Sequence, residues 1–342
     1  MAVATPEQYA EMLDSAKNKV FAFPAINVSS SQTVHAVLQG LTESGSDGII
    51  QVSSGGADYF GGYTTKNRVG GALAFARFVE EVAKAYPITV ALHTDHCPKE
   101  NLDNFLLPLI EASEERVKKG GVAYFQSHMW DGSAVPLKEN LEIAKSLLPR
   151  MTAIDSILEV EIGVVGGEED GVSHEINEKL YTTLEDAIEM VEALGLGEHG
   201  RYMAALTFGN VHGVYKPGKV DLRPSLLKEI QDGLQSKYST GAKPLDLVFH
   251  GGSGSSVEEI AEAVDHGVIK MNIDTDTQYA FTRGALHEMF TGYDGLLKID
   301  GEVGNKKQYD PRAWGKKAEA AMAKRVAQAA EQLGSKGNSI TA

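Results

Sequence analysis

The sequence predicts an α/β fold: an eight-stranded parallel (β/α)8 TIM barrel with long βα loops and an extra C-terminal helix. Three observations carry that expectation. Eight short, β-rich apolar runs recur along the 342 residues, helical patterns separate most of them, and polar groups gather where the runs end. A doubly wound open sheet shares the same alternation and competes with the closed barrel. Residues 1–342 read as a single barrel domain with a helical extension at about 310–342, because such barrels routinely exceed the usual domain size as single units.

Taken in order, Val20–Asn27 and Gly48–Ser53 are the first two runs, with the helical pattern Ser31–Ser44 between them. The pattern Val69–Ala85 leads to Ile88–Thr94, which is followed by Val122–Ser127. Leu137–Leu148 leads to Ile157–Gly163, and Leu184–Ala193 to Tyr202–Gly209. Leu245–His250 and Val268–Asp274 close the set around the helical stretch Ser255–His266. Beyond the eighth unit, Asp310–Leu333 is an Ala/Lys/Glu-rich helix pattern. No sequence self-similarity recurs at a fixed period.

Hydrophobic residues make up 42% and charged residues 23% of the chain, which suits a soluble protein with an ample core. No stretch approaches the roughly 20 apolar residues of a membrane helix, and the N-terminus lacks a basic region followed by an apolar run. A single cysteine cannot build an internal disulfide framework and fits a reducing, cytoplasmic location. The net charge of −15 disfavours nucleic acid and anionic membranes as partners. An anionic substrate would need a local basic or dipolar pocket that overrides this field.

Barrel enzymes build their sites at the C-terminal ends of the strands, so the residues ending each run are a direct test. They are Asn27, Ser53, the pair Asp95-His96, His128 and Asp131, Glu161 leading to Glu168-Glu169, Asn210 and His212, His250, and Asn272 with Asp274. Any one histidine there is an ordinary polar residue. Three of them, His96, His212 and His250, at one rim suggest a catalytic zinc held by imidazoles with a fourth position open. Asp95 reads either as an acceptor orienting an imidazole or as a proton-transfer group. His93, two residues earlier in the run, reads as pointing into the packed interior or assisting locally and is not counted as a ligand. Glu159 and Glu161 share strand parity and face inward, where a carboxylate needs a partner; a second cation is one solution. The Gly-flanked run 166–171 reads either as a solvated acidic loop or as a mobile lid that carries a carboxylate over substrate.

The glycine-rich turn after His250 and the Asp274–Thr277 segment precede helices, and barrels commonly bind phosphate at these two loops. Lys216 adds a cation after the sixth run, while Lys306, Lys307 and Arg312 form a candidate second phosphate site.

The segments VALHTDHC (90–97), LEVEIGVVGGEE (158–169), FGNVHGVYKPG (208–218), FHGGSGS (249–255), KMNIDTDTQYAFT (270–282) and NKKQYDPR (305–312) resemble the motifs of class II, zinc-dependent fructose-1,6-bisphosphate aldolases. The resemblance spans nearly the whole chain. It implies that His96, His212 and His250 hold Zn²⁺, that Asp95 exchanges the proton of the substrate C4 hydroxyl, and that Glu169 moves the proton on the carbon that becomes nucleophilic. It further implies that Asn27, Ser53, Asn272 and Asp274 position substrate hydroxyls and the enediolate. Gly213, Lys216, Gly251, Ser253 and Thr275 would bind the dihydroxyacetone phosphate end beside a monovalent cation, Na⁺ or K⁺. Lys306 and Arg312 would meet the other phosphate, the arginine across a subunit boundary, in a homodimer or homotetramer. Asp131, Glu161 and Glu168 would form a second or exchange metal position. The rival readings are a lysine Schiff-base aldolase using Lys270, a zinc barrel hydrolase, a tagatose-bisphosphate aldolase, and a non-catalytic phosphate- or metal-binding scaffold.

Overall fold

In the computed structural model, which describes residues 3–62, 64–169, 172–174, 180–212, 221–296 and 304–341, eight parallel strands close into a barrel. They are β1 (Phe23–Asn27), β2 (Gly48–Ser53), β3 (Val90–Asp95), β4 (Ser127–Trp130), β5 (Ile157–Ile162), β6 (Tyr202–Leu206), β7 (Leu247–Phe249) and β8 (Val268–Ile273). β8 pairs with β1, which closes the barrel and excludes the open sheet.

Every residue of these strands is buried, because one face lines the lumen and the other lies under the helices. Two apolar cores follow from that geometry. The outer one joins strand residues such as Leu92, Val160 and Phe249 to the surrounding helices. The inner one fills the base of the lumen with Phe23, Ala25, Ile49, Ala91, Met203 and Val248, and the helix Pro6–Lys19 plugs it with Tyr9, Met12 and Leu13. Further along the same strands the inward positions turn polar: Gln51, His93, Asp95, Glu159, His250, Lys270 and Asn272, all buried. The lumen is therefore apolar at its base and ionisable toward its mouth.

Local irregularities set the details. Between β7 and β8 the register shifts at Leu247/Val248, so that Val248 pairs with Lys270 and Ile269 is the extra residue. The fourth strand starts five residues later than the apolar run Val122–Ser127 suggests. Ladder pairing begins only at Gln126, whose backbone N–H bonds Leu92 O while its side chain accepts from Leu92 N–H. His128 is consequently inside β4 rather than beyond it. It faces outward, 2.7 Å from Thr94 Oγ1, and takes no part in the rim.

The C-terminal helix Pro311–Gln332 lies against the helices Ser31–Ser44 and Thr275–Thr291. Glycines make that approach possible. A Cβ on Gly40 would sit 2.4 Å from Ala323 O, and one on Gly284 would sit 2.7 Å from Lys317 O.

Candidate active site

β3 delivers two consecutive side chains to the mouth, although neighbours on a strand normally point to opposite faces. The backbone resolves this at His96, whose φ of 36° leaves the extended region. That left-handed turn brings the imidazole to the side Asp95 already occupies, and ligand atoms of Asp95, His96 and His250 lie within 4.8 Å of one another. β7 ends one residue before His250, which is fully buried.

Carboxylates decide how the two rings face each other. His96 Nδ1 lies 3.1 Å from Asp131 Oδ2, and His250 Nε2 lies 2.7 Å from Glu159 Oε1. Burial pushes both carboxyls up, but hydrogen bonding from His96 and Ser133 holds Asp131 well below the usual range. At Glu159 the Lys270 charge, then His93 and His250, do the same. Ionised carboxylates only accept, so each ring places its N–H on the carboxylate side. His96 Nε2 and His250 Nδ1 then face each other at 3.1 Å, close enough to share a proton or a metal ion. Desolvation by burial lowers the His250 pKa, which keeps that ring neutral. With both rings neutral and their N–H groups on the carboxylates, two lone pairs would oppose each other there unless a proton or a metal ion lay between them. The spacing also matches two imidazole nitrogens on one tetrahedral Zn²⁺, roughly 3.3 Å for bonds of about 2.0–2.1 Å. The donor set fits a metal.

Asp95 sits in an amide cradle. Oδ2 accepts from Asn27 Nδ2 and Gln51 Nε2, both at 2.9 Å, and Oδ1 accepts from Asn272 Nδ2 at 2.9 Å. Asn272 is aligned in turn by Lys270, whose Nζ donates to its Oδ1 at 2.6 Å and pairs with Glu159 Oε2 at 2.8 Å. Lys270, the one buried lysine among the described residues, thus meets the need of Glu159 for a partner without a second metal. His93 bonds Ser127 Oγ through Nδ1 and is no rim ligand, as its inward position suggests.

The side chain of His212 lies outside the described residues, as do those of Glu168 and Glu169; Gly213 and Lys216 lie outside them altogether. The backbones of the first three are placed. Gly166–Glu169 is a strand rather than an irregular loop, antiparallel to Val172–His174 and parallel to Val211–His212, with Gly167 opposite His212. Gly251 locks this sheet to His250: it has φ +63°, and a Cβ there would lie 2.8 Å from the Val211 backbone. The chain at His212 is thereby held beside His250.

A second cluster, His96, Asp131 and Glu161, also has ligand-competent atoms within 4.8 Å. Its His96 Nδ1 is the atom bonded to Asp131, with Glu161 Oε2 at 3.9 Å. A cleft of about 510 Å³ opens beside the mouth, lined by Asn27, Ser53, Asp274, Tyr59, Gln278 and Trp314 among others. Ser53 Oγ also caps the short helix Ser54–Phe60 by accepting from Gly56 N–H.

The two expected phosphate loops differ. The helix Val257–Asp265 is closed by its own capping box, Ser256 with Glu259, so an anion after β7 must use amides of the turn that contains Gly251 and Ser253. The helix Thr275–Thr291 has no side-chain cap from Asp274, so its first amides, Thr275 included, suit an anion better. Lys306 is exposed on the short helix Lys306–Tyr309, and Arg312, with its side chain 84% exposed, is gripped by Asp310 at 2.6 Å. Among the described residues nothing ties either to the mouth of this chain.

Sequence reasoning missed Gln51 and Trp314. Gln51 shares inward parity with Ser53, which was a usable signal; Trp314 reaches the cleft from the distant C-terminal helix, which left none.

Known proteins resemble the chain along its whole length. The family model of class-II fructose-bisphosphate aldolase matches residues 7–338. A protein of Streptomyces coelicolor named fructose-bisphosphate aldolase is 64% identical over 342 residues, covering 99% of this chain and 100% of that one. One of the same name from Mycobacterium tuberculosis is 60% identical over 343 residues, with 100% of both chains covered. The crystal structure of a fructose-bisphosphate aldolase from Campylobacter jejuni superposes with a TM-score of 0.87 at 40% identity, covering 98% of this chain and 97% of that one. With this agreement of fold, mouth chemistry and sequence, the chain belongs to the class-II fructose-bisphosphate aldolase family.

Proposed function

We propose that the chain catalyses the reversible aldol cleavage of D-fructose 1,6-bisphosphate to dihydroxyacetone phosphate and glyceraldehyde 3-phosphate, with Zn²⁺ held by His96, His212 and His250. The observation that carries this reading is the pair of imidazole nitrogens 3.1 Å apart, each turned by a carboxylate behind it. Bound there, zinc supplies a Lewis acid for the C2 carbonyl and relieves the charge that cleavage of C3–C4 leaves on the adjacent carbon.

The residues of the chain do the rest. Asp95, fixed by three amides, presents an oriented acceptor to the C4 hydroxyl and takes its proton as the bond breaks. Glu169 returns and removes the proton on the nucleophilic carbon. Asn27, Ser53, Asn272 and Asp274 orient hydroxyls. Gly213, Lys216, Gly251, Ser253 and Thr275 hold the dihydroxyacetone phosphate end with a monovalent cation, Na⁺ or K⁺. Lys306 and Arg312 serve the other phosphate, Arg312 in a neighbouring subunit of a homodimer or homotetramer. That assignment suits its exposure in the isolated chain. Asp131, Glu161 and Glu168 offer an exchange position once His96 Nδ1 is no longer bonded to Asp131. A cytoplasmic location suits triose-phosphate chemistry.

Lys270 is ill placed for the Schiff-base route, because an amine held as the cation of an ion pair has no lone pair for a carbonyl. Assaying cleavage of fructose 1,6-bisphosphate before and after EDTA tests the reading. Activity is expected to disappear and return with Zn²⁺. Full activity in excess chelator, or borohydride trapping of substrate on a lysine, would overturn it.

A further inference from the structure

We propose that Lys270 is a positioning residue for the metal centre: its ammonium, inside the lumen, holds Glu159 against His250 and turns the Asn272 amide toward Asp95. This inference rests on the zinc reading above, but Lys270 and Glu159 themselves touch neither substrate nor metal in it.

Lys270 is 0% exposed, an unusual place for a lysine unless it is paired. It occupies an inward position of β8 because of the register shift at Val248, and there it has two partners, Glu159 Oε2 at 2.8 Å and Asn272 Oδ1 at 2.6 Å. Each contact fixes the orientation of a group one step closer to the chemistry. On one branch, the paired Glu159 keeps its other oxygen 2.7 Å from His250 Nε2, so the ring presents Nδ1 to the centre. On the other branch, a donor-only ammonium demands the amide oxygen of Asn272. The Asn272 nitrogen must therefore face the opposite way, where it lies 2.9 Å from Asp95 Oδ1 and 3.3 Å from His250 Nδ1. One cation thus sets the tautomer of a ligand and the flip of an amide together. Nothing else in the described lumen supplies positive charge to Glu159 except the neighbouring rings of His250 and His93, and the latter lies 3.6 Å away.

Charge removal separates this role from simple packing. Lys270→Met keeps the length of the side chain and leaves Glu159 buried without its cation. Lys270→Met with Glu159→Gln removes the pair but leaves an amide oxygen that accepts from His250. Zinc affinity is read by chelator competition on the purified protein, and the melting temperature of the metal-free form records structural cost separately. Lys270→Met is expected to weaken zinc binding by roughly 10–100-fold, the usual effect of losing an outer partner of a ligand. The double variant is expected to regain at least about tenfold of it. Wild-type affinity in Lys270→Met, or a double variant as weak as or weaker than the single, overturns the proposal. If Lys270→Met does not fold, the double variant decides: affinity within about tenfold of wild type supports the role, and a loss beyond about 100-fold, or failure to fold, overturns it. Zinc binding by the wild type that survives His250→Ala would instead mean that the metal assignment itself is wrong.

Discussion

At the scale of single residues, the site is made by what stands behind the two imidazoles. Asp131 and Glu159 choose which nitrogen each imidazole offers, so their removal should act on the metal before it acts on the fold. Asp131→Ala is expected to weaken zinc binding by roughly 10–100-fold with little change in urea midpoint, as measured by chelator competition and by denaturation. Buried neutral histidines away from the proposed metal position make a second point. Burial alone pulls His128 down to about 3, and burial with the Lys270 charge holds His93 well below its ordinary value. A depressed histidine binds its proton in the unfolded chain first, so stability is full above about pH 6.5 and falls as pH drops toward 3, by up to about 1.4 kcal/mol per pH unit for each such group. His128→Asn should flatten the decline of stability between pH 6.5 and 4 by about one proton. An unchanged slope would place the proton uptake elsewhere. Asp95, His96 and His250 were legible in the sequence because each stands at the end of an apolar run. The inward parity of Glu159 and Glu161 was legible too. The pairing of Glu159 with Lys270 was not, because β5 and β8 meet only across the lumen and a single chain records no cross-barrel register.

At the scale of elements, apolar periodicity located all eight strands but misjudged their ends wherever side chains rather than hydrophobicity set the boundary. The run Val122–Phe125 is rich in β formers, yet it serves the outer layer, where Phe125 stacks on Phe75, and ladder pairing waits for Gln126. The strand Gly166–Glu169 left no signal, since Gly-Gly-Glu-Glu has neither alternation nor apolar content; it exists because Val211–His212 and Val172–His174 supply its hydrogen bonds. The C-terminal helix was read correctly, but its seat depends on glycines whose role appears only in three dimensions. Gly40→Ala would place a methyl 2.4 Å from Ala323 O and 2.7 Å from Val326 Cβ, forcing that helix outward. A loss of about 1–3 kcal/mol in urea denaturation is expected. An unchanged midpoint would show that the two helices can separate without cost. Because Trp314 lines the cleft from the same helix, the substrate KM should rise along with the instability.

At the scale of the whole molecule, a chain carrying −15 net charge gathers the buried polar and ionisable groups of its lumen toward one end of one barrel. The gradient from an apolar base to an ionisable mouth permits this: the inner core and the helix Pro6–Lys19 carry stability at one end and leave the other free for chemistry. Metal and fold are then linked. Zinc at about 100 times its Kd should add about 2.7 kcal/mol, raising the melting temperature by several degrees, and His250→Ala should lose that increment. Convergence of the imidazoles on one ion is tested most directly by anomalous diffraction at the zinc edge from crystals of the zinc-loaded protein. The expected result is one strong peak about 2.0–2.1 Å from both His96 Nε2 and His250 Nδ1, with a nitrogen of His212 completing the set. A peak bound elsewhere, or none between those two rings, would contradict it.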